Sequence, residues 1–382
     1  MKSIQRVVKK NSNLDNEIAE IQKINPKLMF VFGGLNLFKE GTVLKTISEK
    51  LKGTIIIGCS TAGEISDKGM SEDTLVLTAC HFEKTQEFQT AMVPVNGIND
   101  SLNAGKALAS KFSKDNMTAL FILGPGVNVN GSAIIDGLRE VIGENVTITG
   151  GLAADAGNFT QTFTILNGEI QSDKLIGLAV YGNNLKVAFG SMGGWQPFGP
   201  IRQVTKAEGN ILFELDGEPA LDLYKKYLGD DANKLPASGL LYPFAILNNE
   251  LDESGVIRTI LGVDEAAKSL ILAGDIPNKG SVRLMHADKA GLTLGAKGAA
   301  EKTFHTVSAK AANGVGILVS CIGRKIVMGS DIDDELDAVK AVFGDNSSIT
   351  GYYSNGEICP DSTFSACKLH NQTMTITYIY EE

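Results

Sequence analysis

The sequence predicts an α/β fold with mixed sheets, built from strand–helix–strand repeats. Three segments follow one plan of strand, loop, helix, strand and glycine loop: Met29 to Ile65, Leu120 to Asp155, and Ile317 to Ile358. Their closing strands read T-I-I-I-G, V-T-I-T-G and S-S-I-T-G. Units of this length are typical of right-handed crossovers between parallel strands. Because ligands of open α/β sheets bind beyond the carboxyl ends of the strands, the three glycine loops are candidate pockets; the alternative is that they only turn the chain.

Length and composition indicate a globular protein of two domains. The 382 residues exceed one ordinary hydrophobic core. We divide the chain into an N-terminal helical segment (1–25), a first domain (26–215) and a second domain (216–382). The two domains share the repeat, as expected if one plan was duplicated.

Charge and cysteine content exclude some classes of function and indicate a cellular compartment. A net charge of −9 argues against nucleic-acid binding, which needs a basic surface. Nothing approaches 18 consecutive apolar residues, so we expect no membrane span, and the basic N-terminus lacks the apolar core of a secretory signal. The cysteines are odd in number and lack metal-type pairing, which predicts a reducing, cytoplasmic location. They are Cys59, Cys80, Cys321, Cys359 and Cys367.

Apolar periodicity and turn residues place the elements of the first half. Asn13 is a candidate N-cap for the first helix. The predicted helices are Asn13–Lys23, Phe38–Leu51, Ser101–Phe112, Ser132–Ile142 and Glu218–Tyr227. The predicted strands are Leu28–Phe32, Thr54–Ile57, Thr74–Phe82 and Phe88–Val95 (an antiparallel pair), Thr118–Leu123, Val146–Thr149, Ile176–Tyr181 and Lys186–Ser191.

The second half repeats the alternation after a group of strands. The predicted strands are Phe244–Leu247, Ile257–Leu261, Leu270–Leu272, Ser281–Met285, Gly316–Ser320, Ser348–Thr350 and Thr373–Tyr380. The predicted helices are Ala287–Ala312 and Asp333–Phe343.

Two of the glycine loops share a longer motif, G-x4-G-E-I. It reads G-C-S-T-A-G-E-I at 58–65 and G-Y-Y-S-N-G-E-I at 351–358. Glu64 and Glu357 could act as a paired acid and base, bind a ligand ammonium group, or cap backbone amides. The two copies share the glycines and the carboxylate but not Cys59, which Tyr352 replaces. That difference favours a structural or binding loop over a catalytic one.

Several motifs in order along the chain carry a family resemblance. They are G-C-S-T-A-G-E-I at 58–65, G-G-L-A-A-D at 150–155, R-L-M-H-A-D at 283–288, S-C-I-G-R at 320–324, G-Y-Y-S-N-G-E-I at 351–358 and H-N-Q-T-M-T at 370–375. On these motifs the chain resembles the FIST proteins, sensory modules named for F-box and intracellular signal transduction. The resemblance covers about residues 28–382.

The resemblance implies an N-terminal and a C-terminal FIST domain and a role in sensing small ligands such as amino acids or related metabolites. Some stand-alone bacterial members are haem proteins that sense nitric oxide and regulate a histidine kinase, which is our alternative function. No kinase, cyclase or F-box segment is attached here, so we expect output through a separate signalling protein such as a histidine kinase or a cyclic-nucleotide enzyme.

We therefore predict a non-catalytic sensory protein whose small-molecule ligand lies at the glycine loops. The predicted ligand-binding residues are Cys59, Ser60, Thr61, Gly63, Glu64, Gly151, Asp155, Cys321, Arg324, Tyr353, Ser354, Glu357, His370 and Asn371. The Arg324 guanidinium suits a carboxylate or phosphate ligand, or equally a pair with Glu357 or another interface acid.

The sequence gives weaker support for catalysis, haem binding, an aromatic lid or nucleotide binding. Cys59 could be a nucleophile only with a base nearby, and a structural cysteine is favoured. No cofactor is expected, but His370 or His286 would be the axial ligand if haem bound. Trp195, in G-G-W-Q-P-F-G-P, suits an aromatic lid or, more often, a domain junction. The run from Gly124 to Gly131 lacks the Lys-Ser/Thr ending of a phosphate loop, so we predict no nucleotide site there.

Overall fold

A computed structural model of the chain describes residues 1–84, 86–247, 255–305, 307, 313–360 and 367–382. Three units of one plan make up the fold, and a subdomain is inserted into the third. Each unit has an edge strand, a helix, a parallel strand–helix–strand crossover, a two-stranded extension and a returning strand.

The first unit spans residues 2–81. Its elements are β1 (Lys2–Val8), α1 (Leu14–Gln22), β2 (Leu28–Gly34), α2 (Leu35–Glu40), α3 (Thr42–Lys50), β3 (Ile55–Thr61), β4 (Glu64–Ser66), β5 (Gly69–Ser71) and β6 (Leu75–His81). The side chain of Asn13 accepts a hydrogen bond from the Asn16 amide, as expected of the N-cap. β2 and β3 pair in parallel, which confirms the predicted crossover.

The second unit spans residues 87–181. Its elements are β7 (Glu87–Pro94), α4 (Ser101–Ala109), β8 (Met117–Gly124), α5 (Gly131–Ile142), β9 (Thr147–Leu152), β10 (Thr164–Leu166), β11 (Glu169–Gln171) and β12 (Lys174–Tyr181). β8 and β9 are again parallel.

The third unit begins with β13 (Leu185–Met192) and resumes after the inserted subdomain, residues 193–288. The subdomain contains β14 (Gln196–Glu208), β15 (Ile211–Leu215), β16 (Glu218–Pro219), α6 (Ala220–Leu228), β17 (Phe244–Leu247), β18 (Val256–Arg258), β19 (Ile260–Asp264), β20 (Ser269–Leu272) and β21 (Ser281–His286). The unit continues with α7 (Lys289–Phe304), β22 (Gly314–Cys321), α8 (Ile322–Met328), α9 (Asp333–Phe343), β23 (Ser348–Ser354), β24 (Gly356–Pro360), β25 (Cys367–His370) and β26 (Met374–Glu381).

The three units exchange strands in a ring. Among the described residues the main sheets are β1-β6-β2-β3-β10-β11, β7-β12-β8-β9-β24-β25 and β13-β26-β22-β23-β4-β5. The last two strands of each sheet therefore come from a different unit. The first unit extends the sheet of the third, the third extends that of the second, and the second extends that of the first. The units are thus tied together by backbone hydrogen bonds and not only by side-chain packing.

The inner faces of the three sheets form a common apolar core, and the helices cover the outer faces. Phe30 packs edge-on against Phe121 with ring centroids 5.6 Å apart, and Phe32 stacks on Tyr352 at 4.8 Å. Ile317 of β22 joins the same core. Burial on both faces explains why β2, β8 and β22 read as nearly continuous apolar runs. None of the described helices is both long and apolar enough to cross a membrane.

Several predicted elements need correction. The helix predicted over 38–51 is broken at Gly41, whose φ of +66° ends α2 and starts α3. The strands near 74–82 and 88–95 exist as β6 and β7, but they belong to different sheets and do not pair with each other. The long helix predicted from Ala287 begins at Lys289, and its predicted end lies partly outside the described residues.

The N-terminal segment of the chain also differs from expectation. The N-terminal segment, predicted as helical over 1–25, begins with β1, which pairs with β6. The sequence missed this strand because its side chains are half-buried and of mixed polarity. Strand pairing crosses the predicted boundary at residues 215 and 216, since β13 pairs with β26 and β14 with β21.

Candidate functional site

The first glycine of each of the three glycine loops lies against the backbone of the neighbouring strand. A Cβ atom built on Gly58, Gly150 or Gly351 would lie 1.8, 1.9 or 1.8 Å from a carbonyl oxygen of the neighbouring parallel strand. No side chain fits at such a distance, so these closing strands need glycine. The exchanged strand then places an isoleucine opposite each glycine: Ile165 opposite Gly58, Ile358 opposite Gly150 and Ile65 opposite Gly351.

The two glutamates of the G-x4-G-E-I motif lie in matching cages. Thr61 Oγ1 donates to Glu64 Oε1 at 2.5 Å, and the amide and hydroxyl of Thr74 donate to Oε2 at 3.0 and 2.8 Å. In the third unit, Ser354 Oγ donates to Glu357 Oε1 at 2.8 Å, and the amide and hydroxyl of Thr373 donate to Oε2 at 3.1 and 3.0 Å. Each carboxyl group thus joins its glycine loop to the start of the returning strand.

Burial dominates the electrostatics of both carboxyl groups. It raises the pKa of Glu64 to about 7 and that of Glu357 to about 8, although the hydroxyl and amide donors act in the opposite direction. Both groups therefore titrate near neutral pH. The oxygens of both carboxyl groups already accept hydrogen bonds from the protein. Their main role in this geometry is therefore to join the glycine loop to the returning strand.

A pocket of about 390 Å³ opens where the glycine loop of the first unit meets the other two units. We call it the Lys325 pocket. It is lined by Gly34, Leu35, Asn36, Thr61, Ala62, Gly63, Glu64, Glu72, Asp73, Asp155, Ala156, Asn158 and Lys325. Four predicted site residues, Thr61, Gly63, Glu64 and Asp155, come together here. The volume lies in the range of small-molecule sites.

Lys325 supplies the cation of this pocket and was missed by the sequence analysis. It is the fourth residue of α8, and its side chain is only 18% exposed. Its ammonium group donates to the Ala62 carbonyl oxygen and forms an ion pair with Glu72, whose side chain is 61% exposed. Asp73 lies beside them in a left-handed conformation with φ of +54°. One lysine thus faces several acidic groups across the pocket.

Asp155 holds the second unit's contribution to the pocket in place. Its carboxylate accepts hydrogen bonds from the amides of Phe159, Thr160 and Gln161 and from the Thr160 hydroxyl, at 2.7–3.1 Å. Asp155 is completely buried. Its role in the geometry is to fold the loop after β9 against the glycine loop of the first unit.

An equivalent pocket of about 460 Å³ lies where the second unit meets the first. Ser172 and Asp173 line this pocket just before β12, as Glu72 and Asp73 line the Lys325 pocket just before β6. A lysine of the neighbouring unit, Lys39, also lines it, as Lys325 lines the first pocket. The pocket plan therefore follows the repeat.

Arg324 lies outside the pocket, in a buried cluster. Its guanidinium donates to Glu335 Oε2 through Nε and Nη2 at 3.1 and 2.8 Å, and to the carbonyl oxygens of Gly193 and Leu292. Tyr353 and Ser320 donate to the other oxygen of Glu335, at 2.8 and 3.2 Å. Both charged side chains are fully buried. Of the alternatives for Arg324, the structure has an interface ion pair, with Glu335 and not Glu357.

Cys59, Gly151 and Tyr352 occupy the same position in the three loops and meet at the centre of the molecule. The Tyr352 hydroxyl would lie 2.8 Å from a Cβ atom built on Gly151, and it has no hydrogen-bond partner among the described residues. Burial raises the pKa of both Cys59 and Cys321 well above the usual value for a thiol. Ser60 instead points to the second unit, donating to Ala154 O at 2.8 Å.

Comparison with known proteins now identifies the family. The model of the FIST N domain matches residues 27–218, and that of the FIST C domain matches residues 220–360. The chain belongs to the FIST family. FIST domains are associated with sensing in signal transduction, so this FIST protein belongs to a sensory family. The ligand is a separate question.

Individual relatives add little about function. The chain is 28% identical over 249 residues to the "Uncharacterized protein MJ1623" of Methanocaldococcus jannaschii. That match covers 62% of this chain and 47% of the relative, so the chain spans about half the relative's length. Two solved structures of cyanuric acid hydrolase, one from A. caulinodans, align over 100% of this chain and 99% of theirs, with 9% and 7% identity and TM-scores of 0.41 and 0.37.

The candidate haem ligands of this FIST protein do not fit that role as placed. His370 is buried, and its Nε2 atom lies 2.8 Å from the carbonyl oxygen of Cys359, so this nitrogen is already engaged in a hydrogen bond. His286 ends β21, and its ring packs edge-on against Phe198 at 5.4 Å. Neither histidine lines the Lys325 pocket.

The remaining predicted residues lie away from the pocket of this FIST protein. Ser354, Glu357, Cys321, His370 and Asn371 surround the equivalent position of the third unit, beneath the inserted subdomain. Trp195 also lies there: it is 8% exposed and donates from Nε1 to the Gln372 carbonyl at 2.7 Å. Of the two predicted roles, Trp195 therefore has the one at a junction, between the inserted subdomain and the third unit, and not that of a lid.

Proposed function

We propose that this FIST protein is a non-catalytic sensor that binds a zwitterionic amino acid or a related metabolite in the Lys325 pocket. The observation that carries the proposal is that the first unit's glycine loop, the second unit's Asp155 loop and the third unit's Lys325 all line one cavity. A ligand there touches all three units at once, and it can favour one arrangement of the units over another.

The charges of the pocket suit a zwitterion. A ligand carboxylate would replace Glu72 as the partner of Lys325, and the released Glu72, together with Asp73, would receive the ligand ammonium group. Opening the Lys325–Glu72 pair costs little, because an ion pair with one partner 61% exposed contributes only about 0–1 kcal/mol. The pocket is therefore closed by a weak internal pair that a ligand of matching charges can displace.

The experiment is calorimetric titration of the protein with amino acids, alongside the matching amines and carboxylic acids that each lack one charge. We expect binding of at least one zwitterion and at least tenfold weaker binding of its singly charged analogues. Lys325→Met should abolish binding. Lys289→Met is the matched control, because Lys289 forms a similar surface ion pair with Asp331 at 2.6 Å. Heat signals that are the same in both variants would count against the pocket.

We further propose that the protein acts without a bound cofactor and without catalysis, and passes its signal to a separate partner such as a histidine kinase. The competing hypothesis of haem-based sensing is tested by incubation with haem. We expect no Soret band beyond that of free haem. A stable band that disappears in His370→Ala or His286→Ala would overturn the proposal in favour of the haem hypothesis.

A further inference from the structure

The part of the third unit beneath the inserted subdomain contains three buried amide oxygens without a donor among the described residues. They are Asn355 Oδ1, Asn371 Oδ1 and Gln372 Oε1. Asn371 and Gln372 are 1% and 0% exposed. Buried acceptors are nearly always satisfied by protein or water, so three of them on neighbouring loops indicate a missing donor.

The orientation of two of these amides is fixed by their own donors. Asn355 Nδ2 donates to Gly126 O at 3.1 Å, and Gln372 Nε2 donates to Leu240 O at 2.9 Å. Rotating either amide by 180° would place its oxygen against a carbonyl oxygen. The side-chain oxygens of Asn355 and Gln372 are therefore the atoms that lack a donor.

The loops that carry these amides are held together by Glu357. Ser354, next to Asn355, and Thr373, next to Gln372, donate to opposite oxygens of that carboxyl group. Gln372 has φ of +60°, like Asp73 at the matching place in the Lys325 pocket, and both precede the threonine that caps the motif glutamate. We call this region the covered seam: the 354–357 and 370–373 loops under the inserted subdomain.

The chemistry of the covered seam differs from that of the Lys325 pocket. Asn371 and Gln372 stand where the first unit has Glu72 and Asp73, so amides replace acids. Arg258 donates to the Leu369 carbonyl at 3.1 Å beside the seam, and Arg324, which is paired with Glu335, lies near Glu357. Amides in place of acids remove the negative charge that would attract a cation, so these acceptor oxygens suit an uncharged hydrogen-bond donor.

We propose that the covered seam is a second ligand site, which binds a small neutral molecule with several N–H donors, of the primary-amide or urea class. The ligand would donate to the oxygens of Asn355, Asn371 and Gln372. Because Gln372 also contacts Leu240 and Trp195, the ligand would strengthen the contact between the inserted subdomain and the third unit. This site is independent of the Lys325 pocket, and either proposal can fail without the other.

Trp195 gives a direct readout, because it is the only tryptophan in the chain and donates to the Gln372 carbonyl. The experiment titrates the protein with acetamide, below concentrations that unfold it, and follows tryptophan emission. We expect a saturable change. N,N-dimethylacetamide, which keeps the carbonyl but lacks N–H groups, should give none, and guanidinium should bind at least tenfold more weakly than acetamide. An equal response to dimethylacetamide, or no saturable response to acetamide, would overturn the proposal.

A pair of variants separates a ligand site from a structural one. Asn371→Leu removes an acceptor that has no donor, so it should abolish the acetamide response and raise the thermal midpoint by a few degrees. Asn130→Leu is the control, because Asn130 Oδ1 accepts from the Ala133 amide at 3.1 Å. The control should lower the thermal midpoint and keep the response. An acetamide response that survives in Asn371→Leu would contradict the proposal.

Discussion

The loops at 58–65 and 351–358 have the same sequence plan and the same carboxylate cage, yet they lie in different surroundings. The first opens onto the Lys325 pocket, whereas the second is covered by the inserted subdomain. The position after Cys59 or Tyr352 shows the difference: Ser60 bonds the second unit directly, and Tyr353 reaches the buried Glu335. The motif itself is therefore a means of joining units, and its neighbours decide what each copy can bind.

The largest effect should come from the glycines on which both loops depend. Gly58→Ala and Gly351→Ala each place a Cβ 1.8 Å from a carbonyl oxygen of the adjacent strand, and only backbone movement can relieve the clash. We expect each substitution to destabilise the fold by more than about 4 kcal/mol, so that the cooperative thermal transition is lost. Calorimetry measures the transition.

The control for this pair is Gly143→Ala. Gly143 has φ of +80° but no atom within 4 Å of a built Cβ. Its φ of +80° and ψ of −170° form a backbone conformation that is essentially limited to glycine, so the substitution should cost about 1–3 kcal/mol. If Gly58→Ala behaved like this control while Gly351→Ala did not, the two loops would not be equivalent after all.

The second prediction concerns the ion pair that anchors only the loop of the third unit. Arg324→Leu leaves Glu335 buried and without a cation, so we expect a loss of about 3–5 kcal/mol in the free energy of unfolding, measured by denaturant titration. Adding Glu335→Gln should restore at least half of the loss, because glutamine still accepts from Tyr353 without carrying a charge. Equal stability of the single and double variants would mean that the positive charge is not what matters.

The local structure of the two loops could be predicted from the sequence. The three strand–helix–strand units appear as short runs of apolar residues, and a parallel crossover is closed within about 35 residues, so local pattern and topology rules suffice. The exchange of strands between the units could not be predicted from the sequence. β4 pairs with β23, nearly 290 residues away, through only two residue pairs, and no local pattern specifies such a partner.

The site was predicted in part for a similar reason. Thr61, Gly63, Glu64 and Asp155 were identified because they sit in strand-end loops, and all of them line the Lys325 pocket. Lys325 was missed because it follows Arg324 in a short helix, where the sequence does not say which of two adjacent cations faces the core. Arg324 turned inward to Glu335, and Lys325 turned toward the pocket.

The third prediction uses pH to compare the two cages. A glutamate whose folded pKa is raised stabilises the fold most when protonated, so stability falls as pH rises from about 4.3, the unfolded value, to the folded pKa. The fall should extend to about pH 7 for Glu64 and about pH 8 for Glu357. Glu64→Gln and Glu357→Gln each remove one contribution.

Urea titrations at pH 5 and pH 8.5 measure this difference. We expect Glu357→Gln to flatten the pH dependence more than Glu64→Gln, by about 1.4 kcal/mol for one pKa unit. Glu265→Gln is the control for loss of a surface negative charge, since Glu265 is 67% exposed. If Glu64→Gln and Glu357→Gln both kept the pH dependence of the wild type, the raised pKa values of these two groups would be contradicted.

The smallest expected effect is at the central position, where the two loops differ most, with Cys59 in one and Tyr352 in the other. Cys59 is fully buried, and burial raises its pKa, so its thiolate population at neutral pH is small. All five cysteines are buried, and none of them forms a disulfide bond in the part of the chain that the structure describes. We therefore expect a thiol reagent such as Ellman's reagent to label essentially no cysteine in the native protein within an hour, and five after unfolding. Rapid native labelling that disappears in Cys59→Ala would instead indicate an activated thiol, and with it a catalytic role that the tyrosine-containing loop at 351–358 cannot share.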